Sequence, residues 1–300
     1  MVKMNMMTAV NENQATPLHP VADFLSDFSL EITPKHVDKI DLLAGYLKPG
    51  TPVYVAMLDA GDQPGILAAA RALREAGLEP VPHVPARFVL TADVLNEWLA
   101  AYVGEADVKQ ALVLGGGAAT PNGEFDAAVQ LMQTGLFTKH GIRKLGMAGH
   151  PEGNPDIEKN VGKAALLQAL RDKQKFVEDE GIEAHIATQF LFEAGPVESW
   201  ARNLRAEGIT LPIHVGIPGP ATLKTLVKYA AVCGVGASAK FIRKQALNVT
   251  KLMSVNKPDG LVAGLADLKT NQPQLGVTRA HLYPFGGFDR LFEWLDEARS

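Results

Sequence analysis

The chain has 300 residues, 47% of them hydrophobic and 21% charged, an ordinary globular composition with enough length to bury a large core. Its 29 basic and 33 acidic residues leave a formal charge of −4, which gives no reason to expect nucleic acid or an anionic membrane surface as a partner. A single cysteine, Cys233, excludes an intramolecular disulfide and a cysteine-based zinc site, and no apolar run reaches the length of a bilayer span.

The first stretch, residues 1–22, is polar and Met-rich and lacks the apolar core of a signal peptide. It reads as a flexible tail on a cytoplasmic protein. Short apolar runs then alternate with longer amphipathic ones. Phe28–Ile32 and Pro52–Met57 are the first two strands, and Gln63–Ala76 is a helix with Ile66, Ala69, Ala70 and Leu73 on one face and Gly77 as its cap. Glu79–Val84 is the third strand. In the helix Thr91–Val103, Thr91 caps the start, Val94, Leu95, Trp98 and Tyr102 form the stripe, and Gly104 follows. Strands Gln110–Leu114 and Lys144–Ala148 precede a helix over Ala164–Val177. Strand Ala184–Gln189 leads to helix Pro196–Ala206, and strand Pro212–Gly216 to helix Pro220–Cys233. Two further helices, Ala239–Val255 and Asp259–Leu268, come before the eighth strand, Arg279–Tyr283.

The strands are short and apolar, as expected when both faces are covered. Strict alternation of strand and helix implies a parallel sheet with right-handed crossovers. Eight such units predict a closed (β/α)8 TIM barrel of about 250 residues, an α/β fold occupying residues 23–300 as a single domain, since no linker divides the chain. The rival, an open doubly wound sheet, needs a Gly-rich turn after its first strand, and Glu31-Ile32-Thr33-Pro34 has none.

Chemistry in such barrels sits at the C-terminal ends of the strands. Those positions carry Glu31, then Asp59-Ala60-Gly61, His83, Gly115-Gly116-Gly117, His150-Pro151-Glu152-Gly153-Asn154, Thr188-Gln189, Gly216-Ile217-Pro218-Gly219 and Tyr283. Each has a plainer reading. Glu31 could pair with a basic neighbour, His83 could be a satisfied core histidine, and Lys173 could be a solvated helix charge. The three glycines favour close approach of backbone to a ligand over a mere tight turn, but no Gly-Lys-Ser/Thr follows to make a phosphate loop. His150 and Glu152 lack a third ligand at convincing spacing, so no metal is expected. There is no Gly-x-Ser-x-Gly elbow. Lys144 lies at a strand start, the wrong end for a Schiff base. Cys233 has no activating partner and reads as a small buried hydrophobe.

Six motifs in order carry a family resemblance. Phe28-Ser29-Leu30-Glu31 with Pro34 resembles an opening Ser-Phe-Glu-Phe-Phe-Pro-Pro. Pro82-His83 matches a Pro-His, and Gly149-His150-Pro151-Glu152-Gly153-Asn154-Pro155 resembles Gly-Tyr-Pro-Glu-x-His-Pro. Ala187-Thr188-Gln189-Phe190-Leu191-Phe192-Glu193 is close to Ile-Thr-Gln-Phe-Phe-Phe-Asp. Gly216-Ile217-Pro218-Gly219-Pro220 is similar to Pro-Gly-Ile-x-Pro, and His281-Leu282-Tyr283 to His-Phe-Tyr. Together they resemble the methylenetetrahydrofolate reductases, over about residues 28–290.

The resemblance implies reduction of 5,10-methylenetetrahydrofolate to 5-methyltetrahydrofolate by an FAD that NADH or NADPH reloads, in a protein that is commonly oligomeric, here expected as a homodimer. Glu31 falls at the family's general acid, with a pKa expected to be raised by a desolvated pocket. Gln189 falls at the amide that bonds the pterin edge. Tyr283 falls near the folate, and Leu223 where the family has a Phe against folate or nicotinamide. His83, Gly116, His150, Asn154 and Lys173 fall on or near flavin contacts, with Gly115 and Gly117 beside them. The chain departs from the family where Gly115-Gly116-Gly117 replaces Arg-Gly-Asp, and His150 and Asn154 replace the Tyr and His of the strand-five motif. Pterin recognition is thus better kept than flavin contact. A reductase drawing hydride directly from nicotinamide, or a non-catalytic folate-binding barrel, are the alternatives.

Overall fold

A computed structural model describes residues 19–162, 164–232 and 254–300. The strands are β1 (Phe28–Ile32), β2 (Pro52–Val55), β3 (Glu79–Pro85), β4 (Gln110–Leu114), β5 (Lys144–Gly149), β6 (Glu183–Phe190), β7 (Ile213–Pro218), β8 (Ala221–Thr222), β9 (Val255–Asn256) and β10 (Val277–Tyr283). Eight of them close into a barrel in the order β1-β10-β7-β6-β5-β4-β3-β2, every pair parallel. This is the predicted TIM barrel. The two short strands β8 and β9 form a separate antiparallel ribbon.

Period-two alternation decides what each barrel strand does. Leu30, Ile32, Val53, Val55, Val84, Val113, Met147, Ile186, Val215 and Leu282 face the helices and are essentially sealed from solvent. They merge with Ile66, Leu73, Leu99, Val197, Leu265 and Leu295 into one continuous core between barrel and helices. The alternate residues Tyr54, Val81, Leu112 and Ala187 form a second, small cluster inside the barrel. Four aliphatic or aromatic groups do not fill that interior, and polar side chains occupy the rest.

The helices follow their apolar stripes. Gln63–Glu75 buries Ile66, Ala69, Ala70 and Leu73 as predicted. Thr91 Oγ1 accepts from the Val94 N–H at 3.3 Å, capping Ala92–Ala106. That helix does not stop at Gly104. Burial of Tyr102 and Ala106 carries it onward, at the cost of about 1 kcal/mol for an interior glycine, and Asp107 ends it in the left-handed conformation, φ 46°. The later helices are Ala164–Glu180, Ala194–Ala206, Leu223–Val232 and Asp259–Asn271.

Residues 239–253 of the expected helix Ala239–Val255 lie outside the described residues, as does Cys233, and its last residue instead begins β9. Residues 1–18 of the expected tail also lie outside them, but Pro20–Phe24 is a short helix with Ala22 and Phe24 buried. The C-terminal helix Phe288–Arg299 completes the ring, and its Trp294 Nε1–H donates to Asp259 at 2.7 Å.

Candidate functional site

Leu30 and Ile32 face outward, so Ser29 and Glu31 face the barrel axis. The same alternation turns His281 and Tyr283 of β10 and His83 of β3 inward. Glu31 Oε2 lies 3.4 Å from His83 Nε2 and 3.4 Å from His281 Nε2. β2 intervenes between β1 and β3 in the sheet, so the contact with His83 is made across the barrel interior. On its other ring nitrogen, His281 shares a 2.8 Å hydrogen bond with Ser29 Oγ. Ser29, His281 and Glu31 thus form a hydrogen-bonded chain beneath the C-terminal rim, and His83 Nε2 lies close to the same carboxylate oxygen without hydrogen-bond geometry.

The electrostatics of Glu31 run opposite to expectation. Burial is the largest influence and on its own raises its pKa, but the adjacent His83 and His281 together outweigh it and hold the carboxyl at about 2. The mouth in this structure therefore holds a carboxylate. The sequence suggested desolvation; it did not reveal that two imidazoles on other strands converge on the same oxygen.

Deeper along the axis, the Tyr54 ring meets His281 edge-on at 4.6 Å, and its hydroxyl is hydrogen-bonded to His185 Nε2 at 2.7 Å. His185 stacks on His214 at 4.0 Å, and the Nδ1 atoms of both are buried without a hydrogen-bond partner among the described residues. Burial first, then the charges of Lys144, His281 and Arg279, push His185 down to about 3. His214 is depressed further, by burial and then by His185 and Arg279.

Gln189 stands on the same rim as Glu31, separated from β1 by β7 and β10. The β6–β7 register slips between Ala187 and Phe190, a bulge of the kind that re-aims side chains at barrel rims. Gly216 makes the bulge possible, since a Cβ there would lie 2.5 Å from the Gln189 carbonyl oxygen. Gln189 Oε1 accepts from the Phe190 N–H at 3.1 Å, so its amide is folded back on its own main chain. No hydrogen bond joins it to Glu31 among the described residues. Tyr283 spans the gap: its hydroxyl donates to the Thr188 carbonyl at 3.1 Å and its ring touches His281 at 4.9 Å.

Past the bulge, Phe190 takes the buried position and joins Tyr283, Leu223 and Leu226 in an apolar cluster with Phe285 packed on it. Leu223 also lines a cavity of ≈ 420 Å3 with Phe192, Glu193, Gly219 and Lys257.

The residues assigned to flavin do not all gather together. His83 belongs to the Glu31 cluster. Gly116 has φ +92°, and a Cβ there would come within 3.0 Å of Pro85 Cβ, so its glycine is required by the turn. Gly115 and Gly117 have open space around them and keep their backbones approachable. Asn154 Oδ1 accepts from the Ile157 N–H at 3.2 Å and caps the helix Pro155–Val161. His150 lines a cavity of ≈ 560 Å3 with Gly153, Leu167, Leu170 and Trp200. Burial, then the charge of Lys173, lowers His150 to about 4. Lys173 itself is buried, not the solvated helix charge of the plainer reading, and burial lowers it to about 8. Among the described residues it has no ion-pair or hydrogen-bond partner. A buried cation without a counter-charge is costly, so Lys173 suits a phosphate-bearing group, whereas Glu152 and Glu158, which line the cavity beside His150, oppose one.

Sequence reasoning gave no role to Ser29, His281, Tyr54, His185 or His214. Parity was the available signal: Ser29 shares the parity of Glu31, and His281 that of Tyr283. Among the described residues no cluster of three or more His, Cys, Asp or Glu side chains is placed to hold a metal, and no helix is long and apolar enough to cross a membrane. No family model matches the chain. Among solved structures it is similar to a dihydropteroate synthase from Thermus thermophilus, with 12% identity and a TM-score of 0.46 over 91% of this chain and 95% of that one.

Proposed function

We propose that the barrel mouth reduces 5,10-methylenetetrahydrofolate to 5-methyltetrahydrofolate, with Glu31 delivering the proton. The observation that supports this reading is the convergence of His83 and His281, each 3.4 Å from Glu31 Oε2. An acid that must give up a proton and recover it needs a proton store beside it, and a pair of imidazoles is suited to that work.

In the step itself, Glu31 gives its proton to N10. The bond from N10 to the bridging carbon breaks with its electron pair left on N10. The carbon becomes an iminium at N5, and hydride converts it to methyl. Glu31 regains a proton from His281, whose far nitrogen is held by Ser29 Oγ, or from His83. Filling the mouth excludes water, which strengthens the influence of burial that already favours the protonated acid. Gln189 leaves its bond to the Phe190 N–H and offers one donor and one acceptor to the pterin edge. Tyr283, Phe190 and Leu223 supply the apolar wall.

A flavin, when bound, supplies the hydride. Lys173 and His150 would hold its phosphates, and Gly115 and Gly117 would let it lie close to the main chain. The replacement of the family's Arg-Gly-Asp by three glycines favours a second reading, in which nicotinamide donates directly and no flavin is held. The proposed assembly is a homodimer.

The test is an anaerobic assay of 5-methyltetrahydrofolate formation, with NADH and NADPH in turn, with and without added FAD. Product is expected with at least one donor. Product formed by colourless protein without FAD would select the second reading, and no product under any condition would defeat both.

A further inference from the structure

At the opposite end of the barrel from Glu31 lies a cavity of ≈ 400 Å3 among the strand starts, which the proposed reaction does not use. Gln110 and Lys144 open β4 and β5 and are register partners, and Arg279 reaches the same space from β10. Lys48 and Arg299 also line it, with Asp27 as the one acidic group in its wall among the described residues.

Two observations make this more than a basic surface. Gln110 is only 7% exposed, and its side-chain amide, which has no hydrogen-bond partner among the described residues, is not sealed in the core but opens on the cavity it lines. Water in the cavity can satisfy that amide, so its donor and acceptor are available to a polar ligand that displaces the water. The carboxylates that pair with the two central cations are also largely solvated. Asp27, paired with Arg279, is 65% exposed, and Glu183, paired with Lys144, is 68% exposed. Such solvated pairs are weak and readily exchanged.

We propose that this floor cavity binds a small anion bearing carboxylate or phosphate groups, gripped by Lys144 and Arg279 and completed by the Gln110 amide. Its volume sits near the lower end of ligand sites, about 300–1,000 Å3, which suits a compact metabolite and not a dinucleotide. Arg279 pairs in register with His214, and its charge and that of Lys144 both act on the axial histidines, so an anion at the floor offsets the two together. Occupancy at one end of the barrel is thereby felt along its axis.

The test uses the full chain without folate or electron donor, so its outcome is independent of the proposed reductase reading. Citrate and pyrophosphate are titrated calorimetrically against chloride at matched ionic strength; citrate reports a carboxylate site and pyrophosphate a phosphate site. One of them is expected to bind with one-to-one stoichiometry, and Lys144→Gln is expected to weaken it at least tenfold. Gln110→Leu, which fills the same space without polar atoms, is expected to weaken binding while leaving the thermal midpoint unchanged or raised. Binding no tighter than chloride would overturn the proposal. So would binding that survives both substitutions, or that disappears only in Lys173→Ala.

Discussion

Glu31→Gln is expected to slow formation of 5-methyltetrahydrofolate by about 10²–10⁴-fold, the usual contribution of a positioned acid, while leaving folate affinity within a few-fold. Glutamine keeps the shape of the side chain and can still meet His83 and His281, so the mouth retains its form. What it loses is the transferable proton. Because the two imidazoles hold the acid as a carboxylate in this structure, the proton has to arrive from them when the mouth fills. The variant blocks that last transfer and nothing before it. Rapid-quench measurement of product and equilibrium binding of 5-methyltetrahydrofolate separate the two effects. A variant that binds poorly and turns over normally once saturated would show that Glu31 grips the ligand and does not protonate it.

Acidification is expected to destabilise the fold steeply, beginning near pH 6.5 and well above the carboxylate range. His185 titrates at about 3 in the folded chain against an ordinary value of 6.5. The unfolded chain therefore takes up the proton first, so the stabilisation is complete above about pH 6.5 and is lost progressively as pH falls toward 3. At about 1.4 kcal/mol per unit, that one side chain accounts for several kcal/mol. His214 is depressed in the same direction, and His150, at about 4, adds to the loss. Glu31, held at about 2, contributes once pH drops below 4.5. Set against a typical total of about 5–15 kcal/mol, these losses are decisive. Urea titrations at about pH 7.5 and pH 5 are expected to show a large fall in midpoint, much reduced in a His185→Gln/His214→Gln protein. Equal midpoints at the two pH values would mean that the axial histidines are solvated and already free to titrate.

The barrel was legible because its outward faces are simple. Leu30, Val53, Met147 and Val215 sit in short apolar runs punctuated by helices, and that pattern admits few closed solutions. Element ends were less legible: Gly104 marks a helix stop by local propensity, but burial of Tyr102 and Ala106 carries the helix past it. At the site, the rim positions of Glu31 and Tyr283 follow from strand parity and strand ends. The charge state of Glu31 does not, because it depends on His83 and His281, which lie 52 and 250 residues away in sequence and meet it only when the sheet closes. Lys173 was more legible than its residue type suggests: it lies three residues after Leu170 and four before Val177, on the stripe that Ala164–Glu180 buries, and only the usual solvation of lysine pointed the other way. The bulge at Gln189 needed the three-dimensional partner Gly216 to become visible.

The most direct test is a crystal structure of the chain with bound 5-methyltetrahydrofolate. The pterin is expected in the C-terminal mouth, with N10 within about 3.5 Å of the Glu31 carboxyl and the Gln189 amide swung from the Phe190 N–H onto the pterin edge. A folate seated elsewhere, with Glu31 still paired only to His83 and His281 and Gln189 still folded on its own main chain, would contradict the account.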